Sequence, residues 1–220
     1  MVPLDRARGR ISLAKAPAAR GYHHGDARNA LVTAAGDLLE HEGAAGLSLR
    51  QVAERAGLSR QAPYNHFADK ETLLAALVLS GFERLEAALR SAAKSLTGNV
   101  ALAASAEAYI GFAQGSPALF RLMFARELVD LSKFPDAGAA AAKAFGALVA
   151  VIEAMSPADL VEELSLAAWC LVHGYATLCN EAAVEHPDQR HARSQLFATI
   201  ISASTNVAIG TLSAEATRGA

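Results

Sequence analysis

Six side chains between Arg60 and Lys70, in the stretch RQAPYNHFADK, carry the densest polar chemistry of the chain: Arg60, Gln61, Tyr64, Asn65, His66 and Lys70. The set holds no pair of carboxylates, no thiol and no serine beside a base, so it does not point to bond making. It points to nucleic acid. Arginine can grip guanine O6/N7 and glutamine adenine N6/N7, each worth about 1–3 kcal/mol of discrimination. Tyr64, Asn65 and His66 can donate to phosphate oxygens. Lys70 adds charge at a helix start, where unpaired backbone N–H groups also attract phosphate. Ser59, just ahead, opens the helix that would carry these groups and belongs to the same candidate surface.

Such a helix reads DNA only when a second short helix holds it steeply across a tight turn. Residues 48–67, SLRQVAERAGLSRQAPYNHF, have that design. Ala53 is the small residue a close crossing requires. Gly57, four residues on, can take the positive φ of the turn without cost. Val52, Ala56 and Leu58 form the apolar inner face. Ser48 and Gln51 make an S-x-x-Q capping box that starts the first short helix, and Ser59 is the expected N-cap of the second, running to about Phe67. Pro63 stands out. Proline inside a helix removes one hydrogen bond and crowds the carbonyl four residues back, here that of Ser59. A slightly distorted recognition helix is therefore predicted.

The flanking elements also read as helical. Leu31, Ala34, Ala35, Leu38 and Leu39 recur at helical spacing after Asp26, and Gly43 and Gly46 end that helix. Asp69 caps a long helix through Leu73, Leu74, Leu77, Phe82, Leu85 and Leu89. Ser116-Pro117 and Ser156-Pro157 each read as serine N-cap followed by proline at the first helical position. His186-Pro187-Asp188 divides two late helices. One, about 157–185, is apolar on nearly every side; the other, about 189–213, carries Leu196, Phe197, Ile200, Ile201 and Val207 as a stripe. Abundant alanine and sparse β-branched residues complete an all-α reading with about nine helices. The expected organisation is a basic unstructured arm over 1–21, a helix-turn-helix domain over 22–75 and a helical domain over 76–217. The junction lies inside the long helix, without a loose linker.

The net charge of −2 does not itself advertise DNA. Its distribution is more telling: Arg6, Arg8, Arg10, Lys15 and Arg20 stand against one acid, Asp5, so a basic arm precedes a net acidic body. The arm is either a solvated tail or a DNA contact. Cys170 and Cys179 have neither zinc nor disulfide-framework spacing and read as buried free thiols in a reducing cytoplasm. No apolar leader and no run of 18 uninterrupted apolar residues is present, so no membrane association is expected. The absence of Glu-x-x-His, His-Glu-x-x-His, a phosphate-binding glycine loop and Gly-x-Ser-x-Gly argues against an enzyme. No metal or cofactor is expected, His186 and His191 being five apart and off one helical face.

Residues 22–82 resemble the N-terminal domain of the TetR family of bacterial regulators. The likeness lies in LSRQAPYNHFADKETLLAAL, where Tyr64, His66, Phe67, Lys70 and Leu73-Leu74 fit the family pattern. It implies phosphate contacts by Tyr64, His66 and Lys70, a core role for Phe67, and backbone contacts near Ser48 and Arg50. Pro63 departs from it, since many members carry an aliphatic residue there. YHHGDAR at 22–28 and Trp169-x-x-x-His173-Gly174 resemble a subgroup whose C-terminal domain is named for a Trp, a His and a Gly. The resemblance implies C-terminal helices that bind a ligand and form a dimer. Phe112, Phe120, Met123, Phe124, Phe145, Trp169, His173 and Tyr175 are candidates to line a pocket for a small apolar or amphipathic effector, although each also suits an ordinary core. Gly174 would permit close helix packing. The expected function is that of a ligand-responsive homodimeric repressor on a palindromic operator in double-stranded DNA. The alternatives are a regulator without a small-molecule ligand and an activator.

Overall fold

A computed structural model describes residues 24–184 and 188–218. The basic arm and most of the His186-Pro187-Asp188 break lie outside the described residues, and so do the side chains of 24–26 and 207–218. Among the described residues the chain forms eight α-helices, two short 3₁₀ helices and no strand. They are α1 (His24–Gly46), α2 (Leu49–Arg55), α3 (Lys70–Ala93), α4 (Gly98–Gly115), α5 (Pro117–Phe124), α6 (Pro135–Glu153), α7 (Val161–Asn180) and α8 (Arg190–Arg218), with 3₁₀ helices at Ala62–Asn65 and Ala158–Leu160.

Helix α1 breaks at Gly43, whose φ of 70° and ψ of 172° only glycine adopts readily, and one further turn follows to Gly46. Ser48 starts α2 by accepting from the Gln51 N–H at 3.3 Å. The return arm of the expected capping box is different: Gln51 Oε1 accepts from the Ser48 hydroxyl, and Gln51 Nε2 donates to Glu42 of α1 at 3.0 Å. One glutamine thus ties α1 to α2. The end of α2 is a Schellman turn. Leu58 N–H reaches Ala53 C=O (2.9 Å), Gly57 N–H reaches Glu54 C=O (3.1 Å), and Gly57 sits at φ 68°.

The recognition helix departs further from expectation. It is a 3₁₀ helix over Ala62–Asn65, not an α-helix over 59–67, and Ser59 does not cap it. Pro63 is the cause. Without an N–H at 63, the Ser59 carbonyl has no i+4 donor and accepts from Ala62 instead, at 2.9 Å. The Pro63 carbonyl then takes both the His66 and Phe67 N–H groups (3.0 and 2.8 Å), and its ring is buried in the apolar contact.

Helix α3 links the two functional parts. Leu73, Leu74, Ala75, Ala76, Leu77 and Val78 are all buried, and one core runs from Leu31 and Phe67 through α3 to Val172 and Ala176. Helix α6 lies along α3 through a face of small residues, Ala137, Ala140, Ala144 and Ala147. That helix has the length and mean hydropathy, 1.3, of a membrane span. Here its alanine face packs against α3 while Lys143 and Glu153 stay exposed.

Two proline-based helix starts are capped otherwise than expected. Ser116 precedes α5, but its hydroxyl does not cap; it accepts from Arg84 at 3.2 Å. Pro157, not Ser156, begins the turn before α7, and the Ser156 hydroxyl is buried without a partner.

Candidate nucleic-acid interface and effector cavity

The DNA-facing segment is built from the inside outward. Phe67 is 1% exposed and Pro63 is buried, so these two anchor the recognition turn. The guanidinium of Arg28 on α1 stacks on the Phe67 ring at 5.4 Å, closing the outer side of the anchor. The residues between and before the anchors have nowhere to go but outward. Ser59, Arg60, Gln61, Tyr64 and Asn65 are exposed, Tyr64 by 53%, and His66 is half-buried. Arg50 is exposed in the first turn of α2, and Ser48 is half-buried with its hydroxyl engaged by Gln51.

Lys70 is half-buried, and its Nζ donates to the Ala45 carbonyl at 3.1 Å, pinning the start of α3 to the α1–α2 turn. The α3 N-terminus is not open to phosphate in the way its sequence implied. Asp69 accepts from both the N–H and the hydroxyl of Thr72, each at 2.8 Å. Those bonds hold its carboxyl below the usual carboxylate range.

The C-terminal helices enclose a cavity of about 60 Å³. Its wall is drawn from α3, α4, α5, α6, α7 and α8, and is nearly all apolar. Three of the sequence candidates line it: Phe124, Phe145 and Trp169. Phe120 and His173 line a neighbouring cleft that also includes Phe124. The remaining three are placed elsewhere. Phe112 lies under the Arg84 guanidinium at 5.5 Å. Met123 is core, pressed against Gly81 of α3 so closely that a Cβ there would come within 2.7 Å of its sulfur. Tyr175 stacks edge-on against Phe197 at 5.6 Å.

The polar centre of the cavity is a residue that periodicity does not single out, Tyr109. It is 5% exposed, and its hydroxyl meets both the Trp169 indole N–H (3.3 Å) and His173 Nδ1 (2.8 Å). An indole N–H only donates, so Tyr109 accepts from Trp169; the buried hydroxyl has no acceptor for its own proton among the described residues but His173 Nδ1, to which it donates. The imidazole proton is thereby assigned to Nε2. Burial pushes the His173 pKa below its ordinary 6.5 and the Tyr109 phenol upward, so this trio is neutral. Phe120 and Phe124 pack against the imidazole with centroids 5.3 and 4.5 Å away.

Glu40 was also missed, because its partners lie 78 residues away. Its carboxylate leaves α1 and accepts the N–H groups of Ala118 and Leu119, both at 3.0 Å. It caps α5 in place of Ser116. The helix bearing Phe120 and Phe124 is therefore bound at its first turn to the helix that supports the recognition segment.

Gly174 faces open space rather than a packed helix. Cys170 is exposed and Cys179 half-buried, so neither is the buried thiol expected. Both lie on α7, where Leu166, Cys170, Gly174 and Leu178 follow one another every four residues along one side, and Leu166 and Leu178 are 52% and 45% exposed. His191 pairs with Glu107 of α4 at 2.8 Å.

Residues 31–77 match the sequence profile described as bacterial regulatory proteins, tetR family, and residues 102–203 match that of a tetracyclin repressor-like C-terminal domain. A protein of unknown function from Rhodococcus sp. RHA1 is 32% identical, with a TM-score of 0.68 over 82% of this chain and 98% of that one. A bacterial regulatory protein in the tetR family from Rhodococcus RHA1 shares the fold at 20% identity, with a TM-score of 0.62 over 80% of this chain and 96% of that one. The HTH-type transcriptional activator FasR of Mycolicibacterium smegmatis is 29% identical over 103 residues, 46% of this chain. That match spans about half, 47%, of the activator's length.

Proposed function

This chain belongs to the TetR family of DNA-binding transcriptional regulators, and from that premise we propose that it is a ligand-responsive homodimeric repressor of a palindromic operator, acting in the cytoplasm. The observation that carries the ligand response is the Glu40 carboxylate on the first turn of α5. It joins the support of the recognition segment to a helix whose far end, Phe124, lines the cavity. An occupant that moves Phe124 moves α5, and α5 pulls on α1.

In this reading Arg60 and Gln61 address base edges. Arg50, Ser59, Tyr64, Asn65, His66 and Lys70 hold the phosphates, with the Ser48 turn alongside. Dimeric helix-turn-helix proteins meet half-sites about 34–36 Å apart, so a shift of a few ångströms in recognition-helix spacing breaks simultaneous contact. The stripe from Leu166 to Leu178, with Leu196 and Ile200 exposed on α8, supports pairing of α7 and α8 across a two-fold axis. A second reading, activation, is favoured by the FasR relative, which is an activator.

The test is protection mapping of the promoter beside the chain's own gene with purified protein, followed by a panel of apolar and amphipathic compounds. Two protected half-sites that a compound releases are expected, together with dimer mass in sedimentation. Protection that no compound alters refutes the ligand response, and a monomer that binds as well refutes the dimer.

A further inference from the structure

The cavity is too small to be a complete effector site. Its volume of about 60 Å³ falls far below the roughly 300 Å³ at which small-molecule sites begin. It is also below the ~150 Å³ of an apolar cavity that admits benzene. Yet one aromatic ring away lies a cleft of about 270 Å³ between α5 and the second half of α7. Phe124 lines both spaces. The Tyr109–His173 hydrogen bond crosses the same partition, with Tyr109 on the cavity side and His173 on the cleft side.

The two spaces differ in chemistry. The cavity presents hydrocarbon, and its three polar groups, on Ser105, Tyr109 and Trp169, are all committed. Ser105 donates to the Ala101 carbonyl, and Tyr109 is held by Trp169 and His173. The cleft is polar. His173 offers Nε2–H, Thr177 its hydroxyl, and Asn180 its carbonyl oxygen, the amide nitrogen being tied to Ala113 C=O at 3.1 Å. Charges stand only at its exposed edge: one guanidinium, Arg121, against two carboxylates, Glu127 and Glu181. An anionic head would face an excess of carboxylate, and a cationic head would find its carboxylates only at the solvent-exposed edge, where water competes for them. Neither finds a buried counter-charge, and an unpaired buried charge is costly.

We infer that cavity and cleft are two halves of one site whose occupant is an uncharged amphipath, with its apolar body running from the cavity into the cleft past the Phe124 ring turned aside, and its hydroxyl or carbonyl head at the polar groups of the cleft. This inference rests on the reading of the chain as ligand-responsive and names what that site accepts. Phe124 is the divider of the site, not merely part of its wall. Filling it from cavity to cleft displaces the end of α5.

Trp169 is the sole tryptophan of the chain and lines the cavity, so its emission reports occupancy in the full-length protein. The probes are 1-decanol, decanoate, decylamine and the headless n-decane. The expected result is that 1-decanol shifts Trp169 emission and binds about tenfold or more tighter than either charged analogue. Phe124→Ala, with Phe124→Leu as the milder variant should the first fail to fold, tightens 1-decanol by several-fold because no ring need be displaced. Thr177→Val weakens 1-decanol and leaves n-decane unchanged. Equal or tighter binding of decanoate or decylamine overturns the assigned class. Loss of 1-decanol and n-decane in parallel in the Phe124 variants, with no effect of Thr177→Val, overturns the two-part site and leaves ligand response intact. If no probe moves Trp169 while an unrelated compound releases the promoter, the inference fails and the function stands. If nothing moves Trp169 and nothing releases the promoter, both fail.

Discussion

Both the recognition segment and the apolar cavity are organised by ring side chains, but the rings do opposite work. In the first, Phe67 and the Pro63 ring are buried anchors, and the chemistry stands outside them on residues contiguous in sequence. In the second, Phe124, Trp169 and Tyr109 are themselves part of the inner surface, brought together from three helices, with Tyr109 and Trp169 lying 60 positions apart in the chain. A substitution on the first surface changes what is read. A substitution on the second changes shape, and shape travels. Interiors are close-packed and respond to lost or gained volume as units.

The comparison breaks most visibly at its anchor. Phe67→Ala leaves a hole under Arg28 and is expected to cost about 3–5 kcal/mol in chemical denaturation. A cost below ~1 kcal/mol would mean that the segment is not held from beneath. Next in size, Arg60→Ala is expected to lose about 1–3 kcal/mol of discrimination at one operator position while sparing nonspecific affinity. By contrast Lys70→Met should weaken all duplexes alike and lower the slope of log affinity against log salt by about 1. Identical signatures from the two variants would erase the division between reading and holding.

Glu40→Ala removes two charge-assisted caps and is expected to cost about 1 kcal/mol of stability. Its sharper signature is protection of the Ala118 and Leu119 amides in hydrogen exchange, which should fall while that of α3 persists. Asp69 supplies the smallest effect. Its folded-state pKa is depressed below 3.8, chiefly by the Thr72 N–H and hydroxyl. Its contribution is therefore present above about pH 4 and is lost as pH falls through the depressed value. Asp69→Asn should flatten that acid limb of a stability–pH curve and leave neutral pH little changed.

Much of the recognition segment was legible because its determinants are local. The Ala53–Gly57 spacing, the Ser48 cap and the Asp69 cap each act within a few residues, and each is found. Pro63 was legible as a perturbation but not in its extent. One missing N–H converts a whole short helix to 3₁₀ form, because a four-residue helix has too few other bonds to hold α geometry. The cavity was less legible. Phe112, Met123 and Tyr175 are as bulky as Phe124 and Trp169, and only the directions of their helices decide which rings meet. Glu40 and Tyr109 were invisible for the same reason, as their partners lie 60 to 79 residues away. The serine before Pro117 misled because a cap can come from a distant carboxylate.

The Glu40 contact also bears on how such proteins can be rebuilt. A sensor made by splicing a foreign DNA reader onto these C-terminal helices, with the join inside α3, keeps the C-terminal part of the core but discards α1. Unless the donor brings a carboxylate to the place of residue 40, the Ala118 and Leu119 amides stay uncapped. On the proposed ligand response, the hybrid is expected to bind its compound and its DNA with the two events less strongly coupled than in the parent. Interchangeability of parts in this architecture is thus set by one side chain of the reader as much as by the helix that joins the halves.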